Sequence, residues 1–162
     1  MEKIDIKIDN LKDGLVIELL QEHHQEMFAY SPAESIHALD ISSLNEPSLT
    51  IWSARVGGSL AGCGGLKELN AGQAEIKSMR TAKAFLQKGV GSQVLQVILA
   101  EAAKRGYKQV SLETGTHEAF LPVQMLYKRF GFRECGPFGV YTLDPYSTFM
   151  TLDIEQATIE HK

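Results

Sequence analysis

Apolar and polar positions alternate at the N-terminus, where Ile4, Ile6 and Ile8 are separated by Asp5 and Lys7. That period of two predicts a strand with one buried face. Between Asp13 and Phe28 the period changes. Leu15, Leu19, Leu20, Met27 and Phe28 recur at helical spacing, which predicts a helix ending before Ser31-Pro32. The following SPAESIHALDISSLNEPS is polar, carries two prolines and predicts a short helix and a loop. LTIWSARV and SLAGCGGLKEL read as strands joined by a tight Gly57-Gly58 turn. After the turn NAGQ, AEIKSMRT completes a three-stranded meander. Val90, Val94, Ile98 and Ala102 then recur in steps of four, with Leu95 and Leu99 widening the stripe, so this helix packs by one face. Lys104 and Arg105 suit its last turn and Gly106 its stop. KQVSLET is a strand, Phe120 to Arg129 a short helix, and GFREC and TFMTLDI are strands around the loop GPFGVYTLDPYS. About the last eight residues read as a frayed tail.

The order β-α-(α)-β-β-β-α-β-α-β-β places hairpin-linked strands first and helix-separated strands after. It predicts an α/β or α+β single domain, a mixed sheet with helices on its faces, spanning 1–162 with its core in about 3–153. A chain of 162 residues can bury a core of that size. With 44% apolar and 22% charged residues it falls among ordinary globular proteins. A net charge of −4 gives no sign of a nucleic-acid binder. No apolar run approaches 18 residues and the N-terminus lacks a signal-peptide layout, so neither a membrane span nor secretion is expected. Cys63 and Cys135 stand apart, which fits a reduced, cytoplasmic setting. Neither has a His at a telling spacing, so a cysteine nucleophile is not expected. His23 and His24 are neighbours that diverge by about 100° on a helix, which makes a shared metal difficult and solvent exposure the simpler expectation. No metal site is predicted.

One local feature breaks the pattern. Lys88-Gly89-Val90-Gly91-Ser92 puts two glycines at a helix start, where each costs about 0.5–1 kcal/mol of extra backbone entropy. A helix N-terminus presents unpaired N–H groups and a partial positive charge to an anion, and glycines let a ligand approach the backbone. Gln87, Lys88 and Ser92 add donors. A tight strand–helix turn without a ligand is the other reading. The Walker A triplet is absent, and the dinucleotide pattern fails at Val94.

The strand EIKSMRT before this turn, the strand VSLETG after its helix and the later LYKRFGF, Leu126 to Phe132, resemble in combination the GCN5-related N-acetyltransferases (the GNAT family) over roughly residues 3 to 153. In that family the turn reads Q/R-x-x-G-x-G/A. Here Leu86 stands at the first position and Gln87 one later. The resemblance implies an N-acetyltransferase fold and activity with acetyl-CoA as co-substrate. Its pyrophosphate would lie on Gln87, Lys88, Gly89, Val90, Gly91 and Ser92. Its pantetheine arm would lie in a splay between two parallel strands along Met79, Arg80 and Thr81. The amine of a small molecule, amino acid or peptide would attack directly in a ternary complex. Tyr127 is the expected general acid for the departing thiolate. Glu75 and Glu113 are both candidate bases, and spacing does not choose between them. Where family members often carry Asn, this chain has Thr114-Gly115-Thr116-His117.

The same resemblance puts the acceptor pocket after the first helix, where Ser31, Glu34, Ser35 and His37 can orient a polar substrate. Ser31 also suits a helix cap before Pro32. Phe138, Tyr141 and Tyr146 of the late loop are candidates for the opposite wall. A non-catalytic acyl-CoA-binding regulatory module on this fold is the alternative function. A homodimer through a strand such as TFMTLDI is open, as is a place for that strand inside the monomer sheet.

Overall fold

Hairpins build the first half of the sheet and crossovers the second. In the computed structural model, which describes residues 3–35 and 41–154, His37 and the tail from 155 onward lie outside the described residues. β1 (Asp5–Ile8) pairs antiparallel with β2 (Leu49–Val56), β2 with β3 (Ser59–Asn70), and β3 with β4 (Gln73–Thr81). Helix α1 (Leu15–Met27) lies between β1 and β2, followed by two single 3-10 turns at Ala33–Ser35 and Ile41–Asn45. α2 (Val90–Lys104) carries the chain from β4 to β5 (Gln109–Gly115), which pairs with β4 in parallel. After α3 (Leu121–Arg129) and the short β6 (Arg133–Cys135), β7 (Ser147–Asp153) inserts between β5 and β6. The seven-stranded order is β1-β2-β3-β4-β5-β7-β6. TFMTLDI is therefore an interior strand, with both edges paired inside this chain.

The expected helix stripe is the buried one. Val90, Val94, Leu95, Ile98 and Ala102 of α2 pack with Leu66, Ile76, Val110, Leu112 and Met150 of the sheet, joined by Leu126 and Tyr127 of α3. α1 covers part of the other face, where Val16, Leu19 and Leu20 meet Leu44, Ile51 and Cys63. Its start is fixed by Arg55, whose guanidinium donates to Asp9 at 3.1 Å and to Asp13 at 2.7 Å. Gly106, at φ 87°, takes the left-handed position that ends α2.

Glycines inside β3 have a packing cause. A Cβ on Gly64 would stand 2.5 Å from Met79 Sδ, 2.8 Å from Ile98 Cδ1 and 2.9 Å from Val94 Cγ1. Bare backbone there lets α2 press onto the sheet. Gly64→Ala is expected to overpack this contact, cost about 1–3 kcal/mol and lower Tm in thermal denaturation. An unchanged Tm would mean that α2 does not rest on Gly64.

Candidate active site where two strands part

β4 and β5 are paired only over Gln73–Glu75 and Gln109–Ser111, although β4 runs on to Thr81 and β5 to Gly115. A bulge accompanies the parting. Gly65 is opposite Lys77 and Cys63 opposite Arg80, so β4 carries one extra residue, and Ser78 there has φ 59°. A bulge bends its strand and strengthens the local twist. The Cys63 thiol donates to the Ser78 carbonyl at 3.3 Å and so occupies the bulge from the β3 side. Beyond it, Ala82 N–H donates to Ala61 O at 2.8 Å. The alternation of an antiparallel ladder then turns the Arg80 backbone toward β3, and those of Thr81 and Met79 toward the open gap. The gap is thus edged by backbone donors and acceptors that no neighbouring strand takes.

At one end of the gap stands the glycine turn. Gln87 (φ 60°) and Gly89 (φ 80°) are both left-handed and swing the chain into α2. Gly89 is the N-cap residue and no side chain caps this end. The first helical bond is Gln93 N–H to Gly89 O at 3.1 Å. The N–H groups of the first turn therefore point outward with the positive end of the helix dipole. The two glycines have different causes. A Cβ on Gly89 would touch nothing, and its conformation is what excludes other residues. A Cβ on Gly91 would come 3.4 Å from Leu126 Cδ2 and 3.8 Å from Thr81 Oγ1. At Gly91, then, the open edge of β4, the start of α2 and helix α3 meet. Gln87 and Lys88 are exposed, Ser92 is half-buried, and the Val90 side chain is buried, leaving only its backbone to a ligand. Lys88 Nζ lies 5.8 Å from the centroid of the Phe85 ring.

Next to Leu126 on α3, Tyr127 is buried, its ring 5.5 Å from that of Phe132. Burial alone raises its hydroxyl well above the usual phenol range, so it holds its proton.

The other sheet face carries the carboxylates. Glu75 is at the last paired position before the strands part and is only 4% exposed. The Tyr141 hydroxyl donates to its Oε2 at 2.6 Å, and Lys77 Nζ stands 3.9 Å from the same oxygen. Burial first, then Glu75 and Glu113, raise the Tyr141 phenol, which stays protonated as the donor. Of the two carboxylates that spacing left equivalent, Glu75 accepts from the Tyr141 hydroxyl and lines the adjacent cleft, and Glu113 acts on that phenol through its charge. That cleft has a volume of about 540 Å³ and runs between β4 and the loop at 139–142, with Lys67, Leu69, Lys77 and Val140 along it. The loop is held down by aromatic packing, Phe138 on Tyr141 at 5.1 Å and both on Phe149 of β7 at 6.0 and 5.6 Å. Tyr141 thus enters the site from a loop without periodicity, and its Glu75 contact spans 66 residues of chain.

The segment after α1 lies elsewhere along the gap. Ser31 and Ser35 are buried, and Glu34 is exposed. Tyr30 packs on His117 with the rings tilted and their centroids 4.8 Å apart, and meets Phe120 edge-on at 5.9 Å, beside Gly115 at the far end of β5. Arg80, whose backbone faces β3, sends its side chain to α1. There it donates to His23 Nδ1 at 3.2 Å and pairs with Glu26, which Lys83 also reaches at 3.0 Å. His23 is thus half-buried rather than solvated as the sequence suggested, because the Arg80 pairing draws it inward. Cys63 is buried and its thiol pushed up to about 12, mainly by burial, so it is poorly suited to be a nucleophile. Among the described residues no group of three or more His, Cys, Asp or Glu side chains is arranged to hold a metal. No helix of the described residues is long and apolar enough to cross a membrane.

Comparison with known proteins gives a consistent picture. The model of the acetyltransferase (GNAT) family matches residues 16–132. The uncharacterized N-acetyltransferase YsnE of Bacillus subtilis is 53% identical over 146 residues, covering 90% of this chain and 97% of that one. A solved structure from Klebsiella pneumoniae superposes with a TM-score of 0.80 at 24% identity, over 93% of this chain and 97% of that one. A GNAT family acetyltransferase from Elizabethkingia anophelis, solved with acetyl-CoA bound, superposes with a TM-score of 0.68 at 18% identity, over 94% and 99%. These likenesses to solved structures speak for the fold.

The Arg80–His23 contact predicts a pH dependence. Burial, and then the Arg80 cation, depress the His23 imidazole from 6.5 to about 4. Above pH 6.5 it is neutral folded and unfolded. As pH falls from 6.5 toward 4, only the unfolded chain takes up the proton, so stability is lost across that window. Denaturant unfolding followed from pH 7 to 4 should show this loss, and His23→Gln should make it shallower. Parallel curves would remove His23 from the effect.

Proposed function

Because the chain belongs to the GNAT family of acetyltransferases and is an acetyl-CoA-dependent N-acetyltransferase, we propose that it transfers acetyl to a primary amine by direct attack in a ternary complex, with Glu75 as the base. The observation that carries this reading is the position of Glu75, a nearly dry carboxylate at the fork of β4 and β5 that opens on an acceptor-sized cleft. Acetyl-CoA supplies a reactive acyl thioester at the end of an extended arm, with a diphosphate behind it. The backbones of Met79 and Thr81 on the open β4 edge suit such an arm, which completes the sheet as a strand would. An N–H on this edge would polarise the acyl carbonyl. The first-turn N–H groups of Gly89, Val90, Gly91 and Ser92, with Gln87 and Lys88 beside them, suit the diphosphate.

Glu75 takes the proton of the incoming ammonium, and Tyr141 holds its carboxylate in place through the 2.6 Å hydrogen bond. Glu113, whose charge also acts on that phenol, is the second candidate base. Tyr127 holds a proton at every physiological pH and would give it to the thiolate. Its helix meets the gap at Gly91, which supports that role. Ser31, Glu34 and Ser35 stand toward the Gly115 end and would contribute to the acceptor wall only through the segment that Tyr30 anchors.

Calorimetric titration should show acetyl-CoA binding in the micromolar range and none for ATP, and amine-dependent release of CoA should follow. Tyr127→Phe and Glu75→Gln are each expected to lower kcat by about 10²-fold or more with acetyl-CoA affinity kept. Full retention of kcat would remove that residue from the mechanism. Gly89→Val, which cannot adopt φ 80° without strain, should weaken acetyl-CoA binding, and unchanged affinity would overturn the assignment of the diphosphate to this turn. Tyr141→Phe should lower kcat about tenfold, as expected for a lost hydrogen bond to a charged group.

A further inference from the structure

Two lysines face the carboxylate that is to receive the acceptor amine. Lys67 on β3 is directly opposite Glu75 on β4, so both side chains leave the same face of the sheet, and Lys77 follows two residues along. Both lysines line the cleft. Lys77 approaches Glu75 Oε2 only to 3.9 Å, an oxygen the Tyr141 hydroxyl already holds at 2.6 Å. Among the described residues no carboxylate lies within 4 Å of Lys67. Glu68 also lines the cleft, its Oε1 accepting from the Tyr107 hydroxyl at 2.8 Å, so the lining carries two ammonium groups and two carboxylates. A plain amine or a polyamine placed on Glu75 leaves the two lysines without an anion. A molecule that brings its own anion beside its ammonium matches both signs.

We propose that the acceptor is a free α-amino acid, with Lys77 and Lys67 as the site for its carboxylate. This rests on the acetyl-transfer reading above. In an α-amino acid a single carbon separates the ammonium from the carboxylate. With the ammonium on Glu75 and the carboxylate on Lys77, charges alternate around a closed ring whose fourth side is the 3.9 Å separation of Lys77 and Glu75. Lys67, across the strand from Glu75, reaches the same carboxylate from the β3 side. The mouth of the cleft is apolar at Leu69 and at Val140, which is 96% exposed. A side chain of Leu type on the acceptor would cover that surface. A peptide N-terminus or a lysine side chain carries an amide or a methylene next to its reacting amine, and leaves the two lysines unmatched.

The test compares L-leucine with L-leucinamide, which differ in the carboxylate alone, as acceptors for the full chain with acetyl-CoA. Leucine should have the higher kcat/KM. Lys77→Met and Lys67→Met should each lower the leucine-to-leucinamide ratio of kcat/KM, Lys77→Met by about tenfold or more, and Lys77→Arg should keep it. Equal or better use of leucinamide by the unsubstituted protein, or a ratio unmoved in both Met variants, overturns the proposal. So does acetylation of spermidine with neither leucine compound used, an outcome that leaves the N-acetyltransferase reading standing. Binding of acetyl-CoA without acetylation of any amine overturns both.

Discussion

The site depends on β4 and β5 separating after Glu75 and Ser111. A parallel pair that closed along its whole length would leave no edge for an extended ligand beyond Glu75. Buried backbone polar groups left unmade cost about 1–3 kcal/mol each, so such an edge persists only where water or a ligand can satisfy it. The protein keeps it open with a one-residue bulge at Ser78 on the β3 side of β4 and with α2 and α3 meeting at Gly91. The crossover from β4 to β5 runs through α2, and this brings the N-terminus of that helix to the open end of the gap. Backbone donors and a helix dipole thus arrive at one place from the connectivity alone.

The opposite face works by charge rather than by backbone. Glu75 is withdrawn from water and accepts a hydrogen bond from Tyr141. Tyr141 is held in turn by Phe138 and Phe149, so the position of the Glu75 carboxylate depends on aromatic packing against β7. On the same face Arg80, next to the bulge, joins α1 through His23 and Glu26. The strand that edges the gap is therefore fixed to the helix whose C-terminal segment borders it.

The hairpins, both long helices and the glycine turn were legible in the sequence because each rests on local pattern: alternation, a four-residue stripe, left-handed glycines. The same pattern carried the likeness to the acetyltransferases. Less was visible where distant residues decide. Glu75 and Glu113 look alike along the chain and differ only through the cleft and Tyr141, which lies in an aperiodic loop. The left-handed Ser78 gives no sign, since serine in a strand does not announce a bulge. The glycines of β3 carry no local sign of their cause, yet a Cβ on Gly64 would meet Ile98 and Val94 of α2. His23 looked like a surface residue because its partner Arg80 is 57 residues away.

The interior place of β7 has a consequence for how the molecule is made. β5 is bonded to β4 over three residues at one end, and to β7 along its full length from Gln109 to Gly115. The meander β1 to β4 contains its own partners and can assemble as it leaves the ribosome. β5 gains its second neighbour only when residues 147–153 emerge, and with them comes Phe149, one of the rings on which Tyr141 packs. The loop that carries Tyr141 is therefore set over Glu75 only after the meander that holds Glu75 has been made.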